Sequence, residues 1–244
     1  MRCPARRRGP INRGGRSWWF ESAYSRRVSR RLPVFPLGTV LVPHGILPLH
    51  IFEQRYRALM NLLLWDGESG SPKVLEPGTE PEIGIVLIER GQEVGGGEQR
   101  TGLGTVARFL DVERTADGRF LVVLGGARRF SVVEWLPDDP YPVADVEDVP
   151  EDNWDPSWSG ALEAAEREVR RALGLAGELA DVPVLPALSS DPEVAAWQLC
   201  AAIPVGPFDR QRLLATSGIG DRLALLAELA ADAASLLAFR LGEV

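Results

Sequence analysis

The stretch Leu32 to Leu49, LPVFPLGTVLVPHGILPL, carries no Asp, Glu, Lys or Arg and is long enough to cross a bilayer as a helix. Its four prolines rule that helix out. Pro33, Pro36, Pro43 and Pro48 have no amide hydrogen, and each would break a helical hydrogen bond at a cost of about 3 kcal/mol. Short strands with prolines at their ends or on a sheet edge accept them. The run therefore directs the chain toward a β-rich fold, with Leu32 to Phe35, Val40 to Val42 and Ile46 to Ile51 as short buried strands.

One helix interrupts this pattern. Phe52, Tyr56, Leu59, Met60 and Leu63 recur at three- and four-residue spacing before the Asp66-Gly67 stop, which predicts an amphipathic helix over 53–65. A polar loop follows through Ser69 to Pro81, then a strand from Glu82 to Glu89. Gly91 to Gly102, with three consecutive glycines, reads as a mobile loop. Further strands are expected at Leu103 to Thr115, Arg119 to Gly125, Arg128 to Trp135 and Pro142 to Val149, the first two joined by an Asp117-Gly118 hairpin turn. That makes about eight strands up to Pro150.

Beyond the acidic segment EDNWDP the composition changes. Asp155-Pro156 and Asp191-Pro192 each place a capping acid before a proline in the first helical position. Helices are expected after Pro156, over 192–202, over about 208–216 and over about 219–240. In the last of these, Ile219, Leu223, Leu226, Ala230, Ala233 and Leu237 form one apolar face that should pack on the other three.

Charge narrows the classes of partner. Residues 1–31 hold ten Arg and one acid, whereas the rest of the chain holds 33 acids and 17 bases. An acidic body does not suit a phosphate backbone, because affinity for nucleic acid comes largely from clustered cations that displace counterions. The Arg- and Gly-rich tail, residues 1–31, reads as a disordered arm or as sequence from a mis-assigned start; Ser25-Arg26-Arg27 also resembles part of a twin-arginine signal. Cys3 and Cys200 lie far apart, and Cys200 stands in an apolar stretch, so a buried free thiol and a cytoplasmic location are expected.

No catalytic motif emerges. The only lysine, Lys73, has no Gly-rich phosphate-binding frame around it. Gly67 to Ser71 misses the Gly-x-Ser-x-Gly pattern at its last position. Cys3, Cys200, His44 and His50 have no metal-ligand spacing, so neither a metal nor a cofactor is expected. Asp138-Asp139 and Glu151-Asp152 read as solvated acids in linkers.

Residues 32–58 closely resemble the opening of the Lon substrate-binding domain family, found at the N-terminus of ATP-dependent Lon proteases and in stand-alone bacterial relatives. The words that carry the likeness are Leu47-Pro48-Leu49-His50-Ile51-Phe52-Glu53 and Arg55-Tyr56-Arg57. Gly84-Ile85-Val86-Leu87, Gly104-Thr105-Val106-Ala107, Gly125-Gly126-Ala127-Arg128-Arg129-Phe130 and Tyr141 to Glu147 follow in family order. So do Asp191 to Ile203, Gln211 to Leu214 and Asp221 to Leu223. The resemblance implies an α+β fold: a PUA-like β pseudo-barrel with one embedded helix over 32–150, then a C-terminal helical bundle over 151–244. The ATPase and Ser-Lys protease modules that follow in Lon have no counterpart here, so a non-catalytic module is expected. It would bind unfolded or extended polypeptides, with a protease or chaperone as a further partner and no membrane or nucleic acid. His50, Glu53, Arg55, Tyr56, Arg128 and Arg129 are the candidate binding residues, although Phe52 and Tyr56 also fit a core role, Glu53, Arg55 and Arg57 a helix-start corner, and Arg128 and Arg129 a barrel rim. An RNA- or small-ligand-binding barrel is the alternative, and it rests on fold analogy.

Overall fold

The computed structural model describes residues 29–66, 71–76, 78–91, 97–180 and 185–242. Most of the Arg-rich tail and the triple-glycine segment's centre lie outside these. Strand β1 spans Arg30–Leu37, β2 Ile46–Ile51, β3 Glu82–Arg90, β4 Gln99–Arg114, β5 Phe120–Trp135 and β6 Val143–Asp148. Helix α1 (Gln54–Leu64) lies between β2 and β3, and α2 (Ser159–Leu179), α3 (Pro192–Ala202), α4 (Pro207–Ala215) and α5 (Ile219–Gly242) follow the sheet.

The six described strands are ordered β2-β5-β4-β3-β1-β6, and β6 also pairs with β5, so the sheet returns on itself. Strand β1 explains how its prolines are tolerated. Arg30 to Pro33 pair with β6, whereas Val34 to Leu37 pair with β3 in parallel. Each half has one side without a ladder, toward which a proline nitrogen can face. Arg30 and Arg31, expected in the tail, therefore stand in the sheet.

Three expected strands are redrawn. Val40 to Val42 make no ladder; they form a buried extended link whose carbonyls are met by the Thr105 hydroxyl at Leu41 and the Gly45 amide at Val42. Arg119 to Gly125 and Arg128 to Trp135 are one strand, β5, because the register slips at Ala127 instead of ending at the glycines. Those glycines serve close approach. A Cβ on Gly126 would overlap the Val42 carbonyl, and its backbone bonds the turn at His44 and Gly45, where His44 has φ 58°. Strand β4 also starts earlier than expected, so Gln99 to Gly102 belong to the sheet.

Three apolar clusters build the core. In one, Tyr56, Leu59, Met60 and Leu64 of α1 pack with Phe35, Ile85, Phe120 and Leu124. A second joins Leu32, Val34, Val86, Val106, Phe130, Ala144 and Val146 across the sheet. In the third, Val40, Val42 and Leu87 join Val169, Trp197, Leu199, Leu213 and Leu226 of the helices. Helix α5 contacts α2, α3 and α4. Phe52, expected on the buried face of α1, precedes the helix and is 51% exposed. Cys200 is buried and free, and burial pushes its thiol pKa up to about 12. Among the described residues no helix is long and apolar enough to cross a membrane.

Candidate functional site

The first candidate residues meet at the junction of β2 and α1. Glu53 stands at the helix start in extended backbone, and its carboxylate accepts from Arg55 Nε at 3.1 Å instead of capping the helix. The Arg55 guanidinium lies 4.6 Å from the centre of the Tyr56 ring, which in turn contacts Phe35 at 3.9 Å. Tyr56 is buried with its hydroxyl unpaired, and desolvation raises its pKa. Glu53, Arg55 and Tyr56 thus form a corner. His50 stands apart from it, exposed on β2 and edge-on to Phe52 at 6.1 Å.

Arg128 and Arg129 are neighbours on β5, so they point to opposite faces. Arg128 grips Glu82 through two bonds of 2.7 and 2.8 Å and donates to Asp148 at 2.6 Å. The bonds from Arg128, with one from Arg108 at 3.2 Å, hold the Glu82 pKa down at about 2, against an ordinary 4.5. A depressed carboxylate contributes its stability above pH 4.5 and loses it as the pH falls toward 2. Glu82→Gln is therefore expected to melt roughly 5 °C below the wild type at pH 7, with the gap closing by pH 2 in a thermal melt series.

Arg129 does not lie on a rim. It is 1% exposed, bonded to Glu151 and to the carbonyls of Leu214 and Thr216 at 3.0 Å. Arg222 of α5, equally buried, meets the other Glu151 oxygen at 3.1 Å and lies 3.9 Å over the Trp197 ring. Glu151, read from sequence as a solvated linker acid, is therefore the shared anion between sheet and helices. Asp138 departs from the same reading, since it accepts two bonds from Arg100 at 3.1 and 2.6 Å. A sequence signal for Arg222 existed: it lies one turn from both Ile219 and Leu226, a cation on an apolar stripe.

Sequence reasoning did not foresee a further surface on the outer face of β2, β5 and β4. Residues opposed in antiparallel strands share a face, and three rows cross these strands. They are Ile46–Gly125–Arg108, Pro48–Val123–Asp111 and His50–Leu121–Glu113. Ile46 is 69% and Leu121 44% exposed, and Leu110 bulges from β4 to lie over Gly125. The result is an apolar strip beside the edge of β2 that no strand pairs among the described residues. Pro48 removes one donor from that edge, a position where proline is tolerated. Asp111 and Glu113 border the strip on β4, exposed and without an ion pair among the described residues.

Residues 31–232 match the family model described as the ATP-dependent protease La (LON) substrate-binding domain. The chain belongs to the Lon substrate-binding domain family. The match begins in β1 and ends within α5, so it takes in both sheet and helices. This Lon-family chain is 29% identical over 208 residues to Lon protease 2 of Myxococcus xanthus, covering 81% of itself and 23% of that protein. It is 32% identical over 126 residues to the Lon protease of Flavobacterium johnsoniae, covering 51% of itself and 14% of that protein. It thus spans less than a quarter of either curated relative. A Lon N-terminal domain protein from Xanthomonas campestris has a similar structure, with TM-score 0.53 and 25% identity over 81% of this chain and 96% of that one. The N-terminal domain of the Mycobacterium avium complex Lon protease shares the fold, with TM-score 0.56 and 20% identity over 83% of this chain and 99% of that one.

Proposed function

We propose that this chain is a non-catalytic polypeptide-binding module, which acts in the cytoplasm as an adaptor bringing unfolded or extended polypeptides to a protease or chaperone. In this reading residues 32–150 are a PUA-like pseudo-barrel, consistent with the return of β6 to β5, and residues 151–244 a helical bundle. The observation that carries the proposal is the apolar strip on β2, the end strand of the sheet among the described residues. An exposed apolar plate next to a strand edge suits an extended chain better than a folded surface. The family model matched over residues 31–232 is a substrate-binding domain, which supports the non-catalytic part.

Asp111 and Glu113 favour clients that carry basic as well as apolar residues. Titrating a permanently unfolded model protein into the full chain should give a dissociation constant on the order of micromolar, since a site serving many sequences fits none completely. Raising the salt from about 0.05 to 0.5 M should weaken it several-fold. Absence of binding at high micromolar concentration, with a structured RNA or a metabolite bound instead, would transfer the assignment to a PUA-like RNA- or small-ligand-binding protein.

A further inference from the structure

The chain enters the described sheet at the border of the plate. Arg30 opens β1, and its guanidinium lies 3.4 Å from the Glu82 carboxylate, which also holds Arg108 at 3.2 Å. Arg108 is the β4 member of the first plate row, so residues 1–28 join the molecule beside that row. Direction agrees with position. Strand β1 is antiparallel to β6 and β6 to β5, with Arg30 opposite Val146 and Val146 opposite Val132. The upstream end of β1 therefore points along β5 from Val132 toward Leu121, past each plate row in turn. From Gly125 to Leu121 the rows cover about 13 Å of strand. Phe20 stands ten residues before Arg30, a reach of up to about 36 Å.

The composition of this segment matches what the plate presents. Trp18-Trp19-Phe20 is the longest aromatic run in the chain, and it lies between Arg13 and Arg16 on one side and Arg26 and Arg27 on the other. Residues 1–28 carry eight Arg against one acid, Glu21. On the plate, Ile46, Leu110 and Leu121 are exposed, and Asp111 and Glu113 at its β4 border have no ion pair among the described residues. Aromatic rings bring a large apolar area per residue, and the exposed acids attract the cations that flank them. A tethered segment also acts at a local concentration on the order of millimolar, so it holds a surface for which a free peptide of the same sequence would be too weak.

We infer that the N-terminal segment is the plate's own occupant in the same molecule: Trp18, Trp19 and Phe20 cover Ile46, Leu110 and Leu121, the flanking arginines face Asp111 and Glu113, and a client binds by displacing them. The inference rests on the polypeptide-binding reading and deepens it by naming how that site is regulated. A segment docked about half to three-quarters of the time raises the apparent dissociation constant for a client about two- to fourfold.

The full chain carrying Cys3→Ser and Ser22→Cys takes a nitroxide label next to the aromatic run, since its other thiol, Cys200, is buried. In NMR spectra of the methyl-labelled protein, the Ile46 and Leu121 signals are expected to broaden while Leu229, in the helical cluster, keeps its intensity. The broadening should survive dilution and fade as the salt rises from about 0.05 to 0.5 M. Adding Trp18→Ser, Trp19→Ser and Phe20→Ser should remove it and tighten binding of a permanently unfolded model protein about two- to fourfold. The inference fails if the plate signals stay sharp, if dilution removes the broadening, which assigns the segment to a second copy, or if the triple Ser variant binds unfolded protein no tighter. Plate broadening with no unfolded protein bound even by the triple Ser variant overturns the polypeptide reading and leaves the contact standing. Client binding without broadening overturns the contact alone.

Discussion

Glu151→Ala is expected to lower the melting temperature at neutral pH by roughly 6 to 20 °C. Glu151 is the one carboxylate shared by Arg129 and Arg222, whose side chains are each 2% exposed. Removing it leaves two guanidinium groups buried, with the carbonyls of Leu214 and Thr216 as hydrogen-bond partners among the described residues and the Trp197 ring beside them. Taking the partner from a buried charge typically costs about 3 to 5 kcal/mol, and a chain of this size loses about 2 to 4 °C per kcal/mol; the Glu151 side chain is itself 28% exposed, which places the loss toward the lower end. Desolvation already lowers the Arg222 pKa while Glu151 opposes that effect, so losing the anion removes what keeps the cation in place. The adjacent Asp152→Ala, at an exposed position, serves as control and should change stability by less than about 0.5 kcal/mol. Equal melts for the two variants would show that the ion cluster does not hold the helices to the sheet.

The double variant Ile46→Ser/Leu121→Ser is expected to weaken binding of unfolded protein at least about tenfold while the melting temperature moves by less than about 2 °C. Ile46 is mostly exposed and Leu121 about half-exposed in the free protein, so their loss opens no enclosed cavity. A client covering them would bury on the order of 100 Å² of apolar surface, worth up to about 2.5 kcal/mol, and tenfold corresponds to about 1.4 kcal/mol. Adding Asp111→Asn and Glu113→Gln should flatten the salt dependence without restoring the affinity. Unchanged affinity in the double variant would move the client site off the plate. Loss of affinity together with loss of the folded state would show up in the melt.

Much of the architecture was legible locally. The prolines of β1 and β2 excluded a long helix, the three- and four-residue spacing marked α1, and the Asp-Pro pairs located later helices. Asp155 and Asp191 do accept from the amides of Ser157 and Glu193, at 2.8 and 2.9 Å. Each of these features is complete within a few residues of chain, so the sequence alone determined it. Other features depend on segments far apart in sequence. Gly125 and Gly126 read as a strand end, but β5 continues through them because Leu110 and the Val42 carbonyl occupy the space their side chains would need. Phe52 reads as core and is exposed because α1 begins only after Glu53. The apolar strip became visible only once register put Ile46, Pro48 and His50 beside Val123 and Leu121. Glu151 shows the same limit in energetic form: its partners lie 22 and 71 residues away. The cost of burying a charge is set by what the fold brings next to it, and no local pattern of the chain contains that information.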